Sequence, residues 1–276
     1  MDRKTQHAIA RAASIGRAEL IAALNDALAD EKGAHWVKFG ENLSDWLADE
    51  TAAPPFVIFG RGNAKLPFFE FSTVPIFTCP GMGACGKYCY SLTAWRWPAA
   101  FYRQIQNTIL IKEQDPIIAL RWMQLPSSAT VRLYVNGDID SLETLRFWMQ
   151  ACEERPSLAV YGYSKSWAVF RAYDDAGYDW PHNYQLNLSS GSKYSATDLV
   201  RDLPIVRGQF VAVPVPKAVK GKYGTTEYKT AVRQSAEDAG FERVFVCPGK
   251  CGTCTKKGHA CGLATFKNIP IAIGIH

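Results

Sequence analysis

The run Phe210-Val211-Ala212-Val213 carries four apolar residues in succession and indicates the fold class. A strand that is apolar on both faces is typical of a parallel sheet covered by helices. Other β-rich runs lie on both sides of it and alternate with helical stretches, which favours a parallel sheet with crossover helices. We predict strands at residues 68–77, 131–136, 158–163, 184–188, 210–215, 243–247 and 269–275.

Helical patterns of apolar residues separate these strands. We predict helices at residues 97–112, 116–124, 141–154, 167–176, 196–202 and 226–239. Two earlier helices, at residues 5–30 and 40–50, precede Pro54-Pro55, which breaks the chain. The predicted organisation is therefore an N-terminal helical extension over residues 1–55 and a cluster-binding α/β domain over residues 56–276.

About six strand–helix units fit either an open doubly wound sheet or a full or partial parallel β/α barrel. Neither a Walker-type phosphate loop nor a GxGxxG motif follows the first predicted strand, where a cysteine-rich loop stands instead. Because the ligands of β/α barrels bind at the carboxyl ends of the strands, a cysteine loop in this place favours the barrel.

Seven of the eight cysteines lie in two loops that each open with Cys-Pro-Gly after an apolar strand. The first loop has the spacing C-x5-C-x3-C, and the second has C-x3-C-x2-C-x6-C. Glycine and proline allow tight turns in which several thiolates converge on one centre. The candidate ligands are Cys79, Cys85 and Cys89 in the first loop and Cys247, Cys251, Cys254 and Cys261 in the second. The eighth, Cys152, lies within an amphipathic helix and is predicted to be a small core residue.

The clustered thiols indicate a metal centre, because the reducing cytoplasm in which we expect this chain disfavours disulfides. Three cysteines without an obvious fourth suit a [4Fe-4S] cluster, which we predict for the first loop. Zinc prefers CxxC pairs, and only Cys251 and Cys254 have that spacing. The second loop therefore fits either iron–sulfur or zinc, with His259 as an alternative ligand. One cluster shared by both loops and two separate clusters both fit the sequence.

Polar residues follow three consecutive predicted strands, where they would line the mouth of a barrel. We expect catalytic roles for Asp138, Tyr163 and Lys165, and cofactor contacts for Asn136, Gly137, Asp138, Ser164, Asn187 and Ser189. Two interpretations fit the neighbouring acids Asp140 and Glu143. Together with Asp138 they bind a cofactor amine or a divalent ion or act as a general base, or they are helix-start residues, with Asp140 as the cap of the next helix and Glu143 at its third position. Asp138 precedes that cap and lacks such an explanation.

Composition and charge exclude several classes of protein. No stretch approaches ~18 consecutive apolar residues, and no apolar segment follows the charged N-terminus, so we expect a cytoplasmic protein without a membrane span. The net charge of +5 permits contact with DNA or RNA without requiring it.

Two groups of lysines are either solvated surface residues or a contact with nucleic acid. The first is Lys217, Lys220, Lys222 and Lys229, and the second is Lys250, Lys256, Lys257 and Lys267. Trp95-Arg96-Trp97 either stacks on a base or anchors a helix start.

The first cysteine loop resembles the signature of the radical S-adenosylmethionine family, CxxxCxΦC after the first barrel strand. Tyr88 precedes the last cysteine as in that family, while both gaps between the cysteines are longer here. The resemblance implies that Cys79, Cys85 and Cys89 bind a [4Fe-4S] cluster whose fourth iron is open to S-adenosylmethionine. It also implies that Asn136-Gly137-Asp138 replaces the family's GGE-like turn, with Asp138 in the place of the acid.

A second resemblance, over residues ~60–276, is to the phage and plasmid proteins of the gene-product-eighty-eight family. It depends on several motifs in order: Gly62-Asn63-Ala64-Lys65-Leu66, the TCPG-x3-C-x3-CY loop, Gly137-Asp138, residues 161–166 and the terminal cysteine loop. It implies an accessory protein of a mobile genetic element. The leading hypothesis is a radical-S-adenosylmethionine-like iron–sulfur enzyme. The alternatives are a nuclease or nucleic-acid-binding protein, or a conjugation or fertility-inhibition factor that binds a protein of a competing element, with a structural cluster or zinc.

Overall fold

The computed structural model describes residues 1–49, 51–194, 199–252, 254–256 and 258–275. Its α-helices are α1 (Arg3–Ile15), α2 (Arg17–Ala29), α3 (Ala34–Ala48), α4 (Pro98–Lys112), α5 (Pro116–Met123), α6 (Leu142–Glu154), α7 (Trp167–Asp175) and α8 (Thr226–Asp238). Its strands are β1 (Gly60–Asn63), β2 (Leu66–Glu70), β3 (Thr130–Leu133), β4 (Ala159–Ser164), β5 (Tyr184–Ser189), β6 (Val206–Val213), β7 (Phe245–Val246) and β8 (Ile271–Gly274). The chain is thus a mixed α/β protein.

The strands form one eight-stranded sheet in the order β1-β2-β3-β4-β5-β6-β8-β7. β1 pairs antiparallel with β2, and every other pair is parallel. All seven predicted strands overlap an observed one, so the predicted parallel sheet is confirmed. The sequence did not predict β1, because Gly60-Arg61-Gly62-Asn63 lacks the apolar alternation of a half-buried strand.

The first predicted strand, residues 68–77, is shorter than expected. Regular pairing ends at Glu70, although the Phe71 and Thr73 amides still donate hydrogen bonds to carbonyls at the end of β3. Ile76 then adopts a left-handed conformation with φ 72°, which turns the chain into the first cysteine loop.

The predicted long helix over residues 5–30 is wrong, because Gly16 divides it into α1 and α2. Gly16 has extended backbone angles, and glycine is a poor helix former. The next helix, α3, begins at Ala34 rather than at residue 40. The helix predicted over residues 196–202 falls partly on residues 195–198, which lie outside the described residues, and residues 200–202 form a turn.

The two faces of the sheet have different partners. Val160 of β4 belongs to the large core that contains the helices, and that core continues into the N-terminal extension through Leu20 and Leu43. Tyr161, the next residue, belongs to a separate cluster that includes Cys247, Cys254 and Cys261. Successive side chains of a strand point to opposite faces. Helices therefore cover one face and the C-terminal cysteine segment covers part of the other.

Of the helices in the described ranges, none combines the length and the apolar composition that a bilayer crossing requires. The predicted domain boundary near residue 55 stays a prediction. The N-terminal helices share one hydrophobic core with Phe101 and Tyr102 of α4.

Candidate metal centre

The first cysteine loop, residues 79–89, lies on the segments that follow β4 and β5. The amides of Gly83 and Cys85 donate to the Gly191 carbonyl at 3.1 and 3.3 Å, and the Lys193 amide donates to the Gly81 carbonyl at 3.0 Å. The Ser192 hydroxyl donates to the carbonyls of Gly81 and Lys165. The loop is therefore fixed at the carboxyl ends of neighbouring parallel strands, as the sequence predicts.

The glycine of the Cys-Pro-Gly motif is needed for this contact. A Cβ atom at Gly81 would lie 1.7 Å from the Lys165 carbonyl oxygen, and one at Gly83 would lie 2.6 Å from the Lys193 nitrogen. Both neighbours are backbone atoms that cannot rotate away. A side chain at Gly81 or Gly83 would therefore clash and would prevent the loop from packing against the segments that follow β4 and β5.

Two short 3₁₀ helices carry the cysteines of this loop. Cys85 lies in the helix Ala84–Tyr88, and Cys89 separates it from the helix Tyr90–Arg96. Burial raises the pKa of the Cys79 thiol, and the negative charges of Asp138 and Cys89 raise it further, against the opposing charge of Lys165. Cys79 thus lies within electrostatic range of a second thiol, a carboxylate and an ammonium group.

The Asp138 carboxylate is buried and holds the end of β3 against the end of β4. Its Oδ1 accepts hydrogen bonds from the Ser164 hydroxyl at 2.7 Å and the Ile139 amide at 2.8 Å, and its Oδ2 accepts one from the Lys165 amide at 2.8 Å. Burial raises the pKa of this carboxyl, and the three hydrogen bonds oppose the rise. Asp138, which the sequence predicts to be catalytic, therefore has a positioning role in the structure.

We expect Asp138→Asn to lower the free energy of unfolding by about 1–3 kcal/mol, because the new amide group would face the buried Lys165 N–H, donor against donor. Urea unfolding followed by circular dichroism measures this. Asp140→Asn is the matched control, since within the described part of the chain Asp140 accepts the rotatable Thr144 hydroxyl and no backbone N–H. Equal stability of the two variants would contradict the positioning role.

The predicted cap of the following helix is wrong. Ser141, not Asp140, caps α6, and its hydroxyl accepts the Thr144 amide at 3.1 Å. Glu143 therefore lies at the second helical position instead of the third. Ser141 is the cap because its extended backbone directly precedes the first helical residue, while Asp140 Oδ1 accepts the Thr144 hydroxyl at 2.7 Å.

The other predicted mouth residues divide between two places. Lys165 and Ser189 stay together beside the first loop, where the Lys165 ammonium donates to the Ser189 hydroxyl at 2.8 Å. The Asn136 side-chain amide lies 3.4 Å from the Ser72 hydroxyl, and Gly137 has φ 77° in the same turn. Tyr163 and Asn187 instead contact the second cysteine segment. The structure thus does not bring all of these residues into one site.

The terminal cysteine loop, residues 247–261, crosses the face of the sheet away from the helices. Its Cys251 amide donates to the Lys65 carbonyl at 2.7 Å, in the turn between β1 and β2. Its Cys261 carbonyl accepts the Asn187 side-chain amide at 3.0 Å, on β5. The loop starts at β7, so it connects the two ends of the strand order.

The four thiols of the terminal cysteine loop lie within electrostatic range of one another. Burial raises the pKa of Cys247 to about 12 and that of Cys261 to about 11, and the other thiols of the loop add to the rise. The Ala260 amide lies 3.3 Å from Cys254 Sγ as a donor, and the Gly249 amide donates to Cys247. Amide donors of this kind stabilise thiolates in metal and cluster loops.

Arg132 is a partly buried cation beside these thiols, and sequence reasoning missed it. Its guanidinium lies 4.4 Å from the Tyr163 ring centroid and interacts electrostatically with Cys251. Among the described residues, no carboxylate forms an ion pair with it, and its Nε has no hydrogen-bond partner. The adjacent Tyr161 hydroxyl is buried beside Cys251, and its hydrogen bond to that thiol opposes the rise in the Cys251 pKa that burial causes.

Arg207 is a second buried cation without a carboxylate partner in the described part of the chain. It is fully buried and donates to Asn187 Oδ1 at 2.6 Å and to the Phe266 and Ile269 carbonyls. One feature of the sequence could have identified both arginines, because each is a single cation in or beside an apolar, strand-like run. Arg132 lies in Val131-Arg132-Leu133, within a predicted strand, and Arg207 lies in Val206-Arg207-Gly208, just before another.

His259, the alternative ligand, lies between two aromatic rings. Its centroid is 4.7 Å from that of Phe68 and 4.6 Å from that of Tyr161. Burial lowers its pKa to about 4, so the imidazole is neutral. Cys152 is confirmed as a core residue, and all eight cysteines are free. Within the described ranges, no three Cys, His, Asp or Glu side chains stand close enough to hold one metal ion as folded here.

Comparison with known proteins identifies the family. A search of curated proteins and a search of solved structures found no match. The family model described as Gene product 88 matches residues 41–266, which includes both cysteine loops and most of the 276 residues. The match begins within α3, earlier than the resemblance over residues ~60–276 indicated. The chain therefore belongs to the Gene product 88 family.

Proposed function

We propose that this protein binds two iron–sulfur clusters, one in each cysteine loop, and that the first loop carries the reactive one. The observation that supports this most directly concerns the terminal cysteine loop, whose thiols lie beside the fully buried Arg207 and the partly buried Arg132. Neither arginine forms an ion pair with a carboxylate of the described residues. A buried charge without a counter-charge is costly. An anionic thiolate centre would supply that counter-charge.

The first loop fits a cluster with an open coordination site. Cys79, Cys85 and Cys89 would hold a [4Fe-4S] cluster, and no fourth cysteine lies in this loop. When bound, such a cluster supplies the electron for reductive cleavage of S-adenosylmethionine. Lys165 and Ser189 would contact the cofactor beside the loop, while Asp138 fixes the end of β4.

The terminal cysteine loop fits a fully ligated centre. Cys247, Cys251, Cys254 and Cys261 would be the ligands, and thiolates around an iron–sulfur core leave a net negative charge that Arg132 and Arg207 balance. The Arg132 Nε, which has no hydrogen-bond partner among the described residues, would then face a sulfur acceptor, and the Tyr161 hydroxyl would donate to the Cys251 sulfur. A zinc–thiolate centre is also anionic, so charge alone does not select the metal.

We further propose that the sheet curves into a partial parallel β/α barrel. The terminal loop starts at β7, the last strand in the order, and its Cys251 amide bonds to the Lys65 carbonyl next to β2 at the other end. The same loop contacts Phe68 of β2 and Phe210 of β6. A single short loop bridging these strands supports strong curvature.

The test is anaerobic purification followed by iron, acid-labile sulfide and zinc analysis with a visible spectrum. We expect iron and sulfide in equal amounts and the broad visible absorption of thiolate-ligated clusters. Colourless protein with zinc and no iron would overturn the proposal. Reduced protein that holds iron but forms no deoxyadenosine from S-adenosylmethionine would overturn the radical part alone.

We place this activity in the cytoplasm of a cell that carries a phage or plasmid, since reduced thiols are maintained there. A conjugation or fertility-inhibition role, with a protein of a competing element as partner, is the second candidate. Zinc in both loops with no redox activity would favour it.

A further inference from the structure

Exposed aromatic side chains surround the first cysteine loop. Tyr88, Tyr90 and Trp97 are 39%, 52% and 64% exposed, and all three lie within or next to the two 3₁₀ helices that flank Cys89. The sequence did not distinguish Trp95 from Trp97 as a stacking residue, but the structure does. Trp95 is fully buried and donates a hydrogen bond to the side chain of Gln104. Trp97 alone of the pair is free to stack on a ligand.

The second 3₁₀ helix aligns part of this surface. Residues three apart share a face of a 3₁₀ helix, and Tyr90, Thr93 and Arg96 are all exposed. The Thr93 hydroxyl donates to the Tyr90 carbonyl at 2.7 Å, and Arg96 Nε donates to the Thr93 carbonyl at 3.0 Å. Ser91 and Trp95 occupy the buried face. An aromatic ring and a cation are thus held in one row.

Further cations border this row. Lys87 is exposed in the first 3₁₀ helix, and Lys193 is exposed on the segment that pairs with the loop. Arg3 of α1 reaches the row and donates to the Leu92 carbonyl at 2.6 Å. The acid at that helix start, Asp2, is engaged as the cap of α1 by the Thr5 amide.

The sequence around the loop contains no acid. Residues 71–112 include Lys87, Arg96, Arg103 and Lys112 but neither Asp nor Glu, although the chain has 26 acidic residues. Arg103 forms an ion pair with Glu70, so Lys87 and Arg96 are the cations of this stretch that lie beside the loop. A surface rich in cations attracts polyanions.

We propose that the rim of the first cysteine loop, defined by Lys87, Tyr88, Tyr90, Arg96 and Trp97, binds single-stranded nucleic acid. Exposed rings stack on unpaired bases, and cations between them contact the phosphates. Paired bases offer no face for such stacking. The inference names the substrate class of the proposed cluster enzyme and rests on that function only for the reaction, not for the binding.

The test is fluorescence anisotropy with labelled single-stranded DNA and RNA, and with duplex DNA, on protein of measured iron content. We expect affinity for single strands to fall steeply between about 50 and 200 mM salt. Trp97→Ala removes one stacking partner and lowers affinity about 5- to 150-fold. Arg96→Gln reduces the salt slope by about one phosphate contact.

The matched controls are Leu120→Ala and Arg121→Gln on α5, where an exposed apolar residue and an exposed arginine are adjacent. Both should bind like the wild type. Iron-loaded protein that binds neither single strand, or Trp97→Ala that binds as tightly as Leu120→Ala, would overturn the inference and leave the cluster proposal intact. Equal affinity for duplex DNA would also overturn it. Iron-free protein that still binds through Trp97 would support the inference and overturn the cluster proposal.

Discussion

Replacing Cys79, Cys85 and Cys89 together with serine will remove about half of the protein-bound iron and sulfide, because we assign one [4Fe-4S] cluster to each loop. The same variant should lose any cleavage of S-adenosylmethionine completely. Serine preserves the size of each side chain but removes the thiolate ligand. Iron and sulfide assays on anaerobically purified protein measure the change, with circular dichroism to show that the sheet is intact.

The complementary variant replaces Cys247, Cys251 and Cys254, and it should lose the other half of the iron. Cys152→Ala is the control for cysteine content, since Cys152 lies in the core that the helices form. If either triple variant loses all of its iron while it stays folded, one cluster shared by both loops is the correct arrangement. If Cys152→Ala loses iron, the loss in the triple variants reports instability rather than ligation.

Arg132→Met should have opposite effects on the metal-free and the metal-loaded protein. Without a cluster, Arg132 is a partly buried cation whose Nε is buried without a hydrogen-bond partner and which has no carboxylate partner among the described residues. An apolar side chain of similar volume should therefore raise the free energy of unfolding of metal-free protein by about 1–4 kcal/mol. With the cluster present, the same change removes a counter-charge, so the terminal loop should release iron faster to a chelator.

Two measurements test this pair of effects: urea unfolding of protein stripped of metal, and the rate of iron loss to a chelator. Tyr90 remains satisfied in the variant, since its hydroxyl lies 2.9 Å from the Val135 carbonyl. Arg121→Met is the matched control and should change stability by less than about 0.5 kcal/mol. Destabilised metal-free Arg132→Met would show that the chain itself supplies the counter-charge, which contradicts the proposed role.

The sequence by itself determined the parallel α/β architecture and the presence of two cysteine loops. Runs such as Phe210-Val211-Ala212-Val213 report burial on both faces, and that is a local property of neighbouring side chains. The position of the first cysteine loop at a strand end could also be predicted, because the strand before it is a local apolar run. Local pattern failed at Gly16 and at β1, where a single glycine and a polar hairpin carry little periodic signal.

Only the tertiary structure decided which residues meet. Tyr163 and Lys165 are two residues apart, yet one contacts the terminal cysteine loop and the other lies beside the first. Both residues lie at the carboxyl end of β4, but the two cysteine loops that they contact come from segments far apart in the chain. Likewise, Arg132 became a candidate counter-charge only when the terminal cysteine loop was placed against Phe68 of β2 and Tyr161 of β4. Periodicity describes the face of one element, whereas a binding site depends on which distant elements pack together, and no short stretch of sequence contains that information.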